Sequence, residues 1–398
     1  MRETIDILVS GGGIAGLTAA AAFGTAGFSV LCVDPDPPVT QETEPGADLR
    51  TTAFLQPSIP VLQAAGLWDR LQPFATPLQI MRIVDAGGQV AEPRIIKDFD
   101  AADISDQPFG WNLPNWLLRR EISARLAEMR NVDFRPGTAT THLFTRETEA
   151  RVTLSDGRSV AARMVIAADG RNSTMREALG IPVKTLRYGQ KALAFAVTHP
   201  IPHGNVSTEI HRSGGPFTLV PLPDRAGQPA SAVVWMETGP EVARLSALPV
   251  EEFESAMNAR SCHILGPLTL ASRLTSWPII SQIAARMAGE RTALLAEAAH
   301  VVPPIGAQGL NMSLGDLRVL LDLAQANPAG LGSRRMLDAY HKARHWEVLA
   351  RVTGIDALNR ASMMGAPGLR NLRAGALNAL YALAPLRRTM MRAGLGVR

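Results

Sequence analysis

A strand, a glycine turn, an alanine-rich helix and a second strand ending in an acid follow one another within the first 34 residues, and this order leaves few folds open. Ile5–Val9 is an apolar run suited to a buried parallel strand, Ile14–Ala26 suits a helix, and Ser29–Val33 is the second strand, with Asp34 at its end. Gly11, Gly13 and Gly16 punctuate the turn SGGGIAG. Such a turn needs a positive φ, close backbone approach to a pyrophosphate and tight packing of helix on strand. The helix start at Ile14 and Ala15 offers free N–H groups to phosphates. Asp34 stands where a carboxylate would meet a ribose hydroxyl. A Rossmann-like α/β dinucleotide-binding unit is predicted, and the turn alone does not separate FAD from NAD.

Two later stretches narrow the choice: AADGRNSTMREALG at 167–180 and LLAEAAHVVPPIGAQGLN at 294–311. In this order and with these gaps, the three describe one FAD held by a chain that leaves the cofactor domain and returns to it. Pro303 and Pro304 stiffen the approach, and Gly306 and Gly309 let backbone come close to a planar ring. A helix continuing from Leu310 would aim N–H groups at the pyrimidine edge of the isoalloxazine, favouring the negative charge of reduced flavin. No second GxGxxG occurs, so there is no dedicated nicotinamide domain.

The pattern between these stretches alternates. Residues 1–75, 111–187 and 285–357 read as a discontinuous FAD-binding domain, with strands at 132–134, 150–154, 159–166 and 292–295 and a helix over 115–129. Residues 76–110 and 188–284 read as an inserted β-sheet substrate domain. Its strands fall at 78–84, 192–198, 217–221 and 232–236, Gly87-Gly88 is a turn, and one helix lies near 249–260. Residues 358–398 read as a basic amphipathic C-terminal helical tail.

Charge locates that tail. The chain carries 40 Lys and Arg against 36 Asp and Glu, and seven arginines with no acid fall after Leu358 (Arg360, Arg370, Arg373, Arg387, Arg388, Arg392 and Arg398). The remaining 33 basic residues are fewer than the acids, so the pI of about 9.4 belongs to the tail. A nucleic-acid groove would interleave basic and aromatic residues across the fold, and none is expected. Leu369, Leu372, Leu377, Leu380, Tyr381, Leu383 and Leu386 recur near helical spacing beside the arginines. Such a helix either lies on an anionic membrane or a partner, or packs on its own domain with a solvated Arg face. The uncharged run Gly16–Val33 is helix plus strand, not a span or signal. Cys32 and Cys262 are far apart, which gives no disulfide framework or thiolate metal site and suits a reducing cytoplasm.

Taken together, the chain resembles the class A flavoprotein aromatic hydroxylases, which share the para-hydroxybenzoate hydroxylase fold, and within them the ubiquinone-biosynthesis hydroxylases. The resemblance covers essentially the whole chain. It is carried by DLRTTAFLQPSIPVLQAAGLW (48–68), Asp169-Gly170, YGQKALAFAV (188–197), GGPFTLVPLP (214–223), Trp235, PPIGAQGLN (303–311) and the tail LRNLRAGALNALYALAPLRRTMM. It implies that Arg50 lies by the flavin, that Asp169 and Gly170 lie near FAD and the NAD(P)H pyrophosphate, and that Arg119, Pro304, Gln308, Leu310 and Asn311 belong to the cofactor site. It implies a monooxygenase that takes electrons from NAD(P)H or a partner protein and O2 as oxygen source. A flavin C4a-hydroperoxide would then hydroxylate a polyprenylated phenol in ubiquinone biosynthesis. The protein would sit in the cytoplasm, peripheral to the inner face of the membrane through its tail, with a quinone-synthesis complex as partner. Hydroxylation of a small soluble phenol, or a flavoprotein scaffold role in such a complex, are the alternatives.

One motif departs from the class. Gly-Asp-Ala-Ala-His becomes Ala296-Glu297-Ala298-Ala299-His300, so the acid expected on a ribityl hydroxyl is one methylene longer. His300 is either an acid/base or, as the flavin-centred chemistry favours, a histidine that anchors a turn. His341 and His345, four apart with Glu347 beyond, lack a third ligand and read as an ordinary surface helix. Met363-Met364 and Met390-Met391 read as packing residues. No catalytic triad or metal site is expected.

Overall fold

The computed structural model describes residues 3–87, 90, 92–212, 214–363, 375 and 378–396. The expectations at Gly88, Met364, Leu369, Arg370, Leu372, Arg373, Leu377 and Arg398 lie outside the described residues.

Glu3–Ser10 lies between Val30–Asp34 and Ser159–Ala167 and runs parallel to both. Val132–Pro136 extends the sheet beyond Val30–Asp34, and Thr292–Leu294 extends it beyond Ser159–Ala167, again in parallel. Parallel strands covered on both faces read as continuous apolar runs, and Ile7, Leu8, Val9, Leu31 and Cys32 are indeed fully buried. The helix Ile14–Thr25 covers one face; Ala19 to Ala22 have no exposed surface because the methyl side chains let helix and sheet approach closely. A hairpin, Thr140–Thr145 with Ala150–Leu154, adds antiparallel strands against Ser159–Ala167.

The second sheet has nine strands. Its middle is Val183–Thr198, flanked by Thr275–Ala284 and Gln228–Thr238, followed by Pro216–Arg225, Val206–His211, Ile80–Asp85 and Ile95–Asp100. Strands from 76–110 and from 188–284 thus share one sheet, joined by the parallel pairing of Ile80–Asp85 with Val206–His211. The short strand His300–Val301 also pairs here, against Gln282 and Ile283, although the third motif begins in the first sheet. Period-two alternation gives each strand two faces. One face buries Leu193, Phe195, Phe217 and Trp235 under Phe253 and Met257 of the helix Val250–Ser261. A helix at Gly239–Ser246, which the sequence pattern did not single out, caps the same core through Val242 and Leu245. The opposite face looks toward the FAD motifs. Between the two lies a three-stranded sheet of Thr51–Leu55, Gly110–Pro114 and Thr76–Leu78.

Candidate active site

A cavity of about 820 Å³ runs from the glycine turn to the open face of the nine-stranded sheet. At its start, Gly11 has φ +107, and a Cβ there would lie 2.3 Å from the Ala168 carbonyl oxygen. A Cβ on Gly16 would fall 1.9 Å from the Gly11 oxygen, so the crossing of helix and turn admits no side chain. Gly13 is different: nothing stands within 4 Å of its Cβ position, and with Ile14, Ala15 and Gly16 it borders the cavity. Gly13 is the N-cap and supplies no capping side chain; the Leu17 N–H already donates to the Gly13 carbonyl at 2.9 Å. The N–H groups of the first turn therefore face the cavity without a side-chain acceptor. Asp34 stands at the end of its strand, but its carboxylate accepts the N–H groups of Gly12 and Asp36 and does not border the cavity.

Further along, the Arg50 guanidinium donates to Asp48 through Nε at 2.8 Å and Nη2 at 2.7 Å, and stacks 5.3 Å from the Trp277 ring centroid. Burial pulls the Asp48 carboxyl up, but the Arg50 hydrogen bonds and charge outweigh it and hold it below its usual range. Asp48 in turn raises Arg50 against its own burial. Arg119, from the helix Asn115–Ala127, also borders the cavity, and its buried Nε has no partner among the described residues. Asp169 does not border the cavity; it accepts the Met175 N–H at 3.2 Å in the first turn of the short helix Thr174–Ala178, whose N-cap is Ser173, and its buried Oδ1 has no partner among the described residues. Gly170, with φ +85, turns the chain along the cavity wall.

Glu297 reaches across the cavity edge to Arg171, which donates through Nε at 3.1 Å and Nη2 at 3.3 Å. The longer acid is thus matched by a guanidinium in the second motif. Ala296 beside it has φ +55, a left-handed conformation that costs a residue with a Cβ about 1–2 kcal/mol. Ala296→Gly is expected to raise stability by roughly 1 kcal/mol, as read from the thermal midpoint.

The third motif wraps the far end. Gly306 at φ +62 and Ala307 at φ +56 turn the chain into the helix Gln308–Ala326, which starts two residues earlier than the sequence pattern placed it. Pro304, Gly306, Gln308, Gly309 and Leu310 border the cavity. Asn311 does not; its side chain accepts from the Leu55 N–H at 2.8 Å and donates to Ala53 and Ala307, tying helix to strand. His300 and Asp316 close the base of this loop with a 2.7 Å contact, and Asp316 also accepts from Arg344 Nε at 2.6 Å. All three are buried. His300 is thus held from below by Asp316, while its residue also borders the cavity and its Nδ1 has no partner among the described residues.

The nine-stranded sheet supplies an apolar wall through Met81, Ile83, Phe99, Val220 and Val234. Polar groups interrupt it, and sequence reasoning missed them. Glu209 borders the cavity with Ser207 and Thr218 beside it, and its carboxylate lies 2.8 Å from His211 Nε2. Asn112 donates to the Pro221 carbonyl at 2.9 Å and leaves a buried Oδ1 without a partner. The available signal for the first was Ser207, Glu209 and His211 at every second position of a strand.

The C-terminal helix Ala384–Leu395 closes the mouth with Arg387, Met390, Met391 and Leu395. Arg387 pairs with Asp103 at 3.0 Å, Tyr381 packs edge-on against Phe99, and Gln308 donates to the Gly394 carbonyl at 3.0 Å. The tail is thus docked on its own chain, yet Leu383, Leu386 and Met390 remain exposed beside Arg388 and Arg392. His341 and His345 stack with ring centroids 4.8 Å apart, and His341 Nδ1 accepts the Met287 N–H at 3.2 Å; no metal-binding group occurs among the described residues. No helix among them is long and apolar enough to cross a membrane.

A family model described as an FAD binding domain matches residues 4–353. The chain belongs to this family. It is an FAD-dependent monooxygenase of the aromatic hydroxylase class. This monooxygenase is 32% identical over 397 residues to the ubiquinone hydroxylase UbiL of Rhodospirillum rubrum, covering 99% of this chain and 90% of that one. It is 24% identical over 400 residues to the 3-demethoxyubiquinol 3-hydroxylase of Escherichia coli, covering 100% of both chains. Among solved structures, p-nitrophenol 4-monooxygenase PnpA of Pseudomonas putida superposes over 100% of both chains with a TM-score of 0.79 at 21% identity, a likeness of fold.

Proposed function

We propose that this monooxygenase hydroxylates the aromatic ring of a polyprenylated phenol in ubiquinone biosynthesis, with O2 as oxygen source and NAD(P)H as reductant. The observation that carries the reading is the cavity itself: one apolar wall continues from the third-motif loop to a mouth beside the C-terminal helix. A ring would lie by the loop, and a prenyl chain would follow the wall outward. The names of two relatives, UbiL and the Escherichia coli 3-hydroxylase, point to the same substrate class.

The residues present fit FAD. The open space at Gly13, the uncapped helix start and the unpartnered Arg119 Nε all border the cavity and suit a polar, anionic ligand. The N–H groups of Ile14, Ala15 and Gly16 would hold the pyrophosphate, with Gly11 and Asp34 fixing the turn beneath them. Arg50, Arg119, Gly170 and Glu297 would line the linker between the two halves. Pro304, Gly306, Gln308, Gly309 and Leu310 would meet the ring, with Asn311 holding their helix in place. Bound there, the flavin supplies the redox chemistry that activates O2 for transfer to the substrate ring. The chain's own residues position the ring, exclude water and steady charge at the helix start. Residues 1–75, 111–187 and 285–357 form the cofactor domain in this reading, and 76–110 with 188–284 the substrate domain.

Arg171 offsets the Glu297 charge beside an anionic dinucleotide. Arg171→Ala is expected to weaken FAD binding by about tenfold, the worth of one charge-assisted contact. Flavin fluorescence titration of the apoprotein measures this, and Glu297→Gln in the same chain should restore most of the loss. The exposed Leu383, Leu386 and Met390 with Arg388 and Arg392 form the face that would rest on an anionic membrane. Deleting residues 384–398 is expected to open the mouth, so that turnover consumes NAD(P)H with more hydrogen peroxide and less hydroxylated product.

The function is tested by deleting the gene in its host and analysing quinone lipids by mass spectrometry. The expected result is a prenylated phenol lacking one oxygen, cleared when the intact gene returns. Normal quinones with no such intermediate would move the assignment to a soluble aromatic substrate.

A further inference from the structure

The face of the nine-stranded sheet that borders the cavity is apolar except around Glu209. Glu209 sits on Val206–His211 between Thr218 on one neighbouring strand and Ile83 on the other. Its own neighbours in sequence, Thr208 and Ile210, point the other way, and Ile210 is buried in the opposite core. Glu209 is 7% exposed. A carboxylate so little hydrated is costly unless something bonds it. His211, two residues along on the same face, brings Nε2 to 2.8 Å from its carboxylate. Among the described residues no hydrogen bond reaches the Glu209 side chain, and no Lys or Arg of this sheet borders the cavity. The cavity's arginines lie on other elements, and three are already paired: Arg50 with Asp48, Arg171 with Glu297 and Arg387 with Asp103. The wall therefore offers a carboxylate acceptor beside the Ser207 and Thr218 hydroxyls, and no Lys or Arg.

We propose that Glu209 accepts a hydrogen bond from a hydroxyl of the substrate ring and sets the cavity against rings that carry a carboxylate. The inference rests on the phenol reading above. A phenolic O–H satisfies the free acceptor capacity of Glu209 with a charge-assisted bond. A ring carboxylate brought to the same wall offers no donor and places like charges together in a poorly hydrated space, where repulsion is weakly screened. Sites that bond a ligand hydroxyl discriminate strongly because a mismatched ligand leaves their buried polar groups unpaired. The step that supplies the substrate must then deliver a ring without a carboxyl group, by removing it or by never adding it.

The full FAD-loaded chain tests this with two probes that differ only in the carboxylate, 2-octylphenol and 3-octyl-4-hydroxybenzoate. Dissociation constants come from the change each causes in the flavin absorbance spectrum. The wild type is expected to bind the phenol at least about tenfold more tightly. Glu209→Gln, which keeps the shape, should bring the ratio near one, mainly by tightening the carboxylated probe. Val220→Ala, on the same wall without charge, should shift both probes alike and leave the ratio unchanged. Equal wild-type affinities would overturn the inference while leaving the phenol reading intact, and this measurement needs no variant. A ratio that Glu209→Gln leaves unaltered, or that Val220→Ala alters as much, would overturn it too. Failure of both probes to bind would remove the phenol reading and this inference together.

Discussion

Gly16→Ala is expected to give a folded chain that retains little flavin. The added methyl would lie 1.9 Å from the Gly11 carbonyl oxygen, far inside contact distance, and the obstacle is backbone, not a side chain that can swing away. The helix start must then back away from the turn, taking its first N–H groups with it. Each hydrogen bond from such a group to a charged phosphate is worth about 1.5–3 kcal/mol. Losing two weakens FAD binding about 100-fold or more, at about 1.4 kcal/mol per tenfold. The ratio of absorbance near 450 nm to that at 280 nm in purified protein measures the loss. Gly13→Ala is the comparison, since its Cβ position is open within the protein. Any defect there must come from crowding the ligand. Equal flavin content in Gly16→Ala and wild type would show that the turn does not hold the cofactor.

Asp316→Ala is expected to be the most destabilising single change near the site. Asp316 is fully buried between His300 at 2.7 Å and Arg344 at 2.6 Å. Burial alone would lower the Arg344 pKa, but Asp316 beside it holds it above its usual value, so the guanidinium keeps its charge in the core. Removing one partner of a buried pair costs about 3–5 kcal/mol, and the more exposed Glu347, 2.6 Å from Arg344 Nη1, would compensate only part of the charge left behind. At about 1 °C per kcal/mol for a chain of 398 residues, the melting temperature should fall by about 5 °C. Removing both charges, as Asp316→Leu with Arg344→Met, should recover more than half of that loss. A single-variant drop of only a degree or two would mean that water reaches Arg344 and the network is not sealed.

Much of this was legible in the sequence because it rests on local rules. The turn SGGGIAG announces itself through the positions where only glycine fits, and Gly11 at φ +107 bears that out. The alanine-rich helix and the parallel strands are set by burial period, so their bounds moved by only a residue or two, whereas the long antiparallel strands outran their apolar runs: 192–198 is part of Val183–Thr198, 217–221 of Pro216–Arg225 and 232–236 of Gln228–Thr238, and 78–84 splits between Thr76–Leu78 and Ile80–Asp85. Pairings between distant side chains carry no such local signature. Nothing in the motif says that Glu297 would meet Arg171, since the match depends on how two loops are set by separate strands. Asp34 reads as a ribose ligand by position, and the position alone does not show that its carboxylate also accepts the Gly12 N–H. Glu209 was hidden for the opposite reason: a single acid in a strand looks like a solvent-facing residue until the sheet shows which face is inward. The tail gave its composition but not its place, because Arg387 meets Asp103 only after the substrate sheet has formed.

The pairing of Ile80–Asp85 with Val206–His211, and of Ser159–Ala167 with Thr292–Leu294, has a consequence for how the protein is made. As the chain leaves the ribosome, neither sheet is complete when its first strands appear. The parallel core waits for residue 294, and the hairpin of Ile80–Asp85 with Ile95–Asp100 waits for Val206–His211, which is synthesised much later. Contacts so far apart in sequence close slowly and leave apolar edges open meanwhile. Prolonged chaperone protection of the nascent chain is therefore to be expected, as is flavin capture only after nearly the whole polypeptide has emerged.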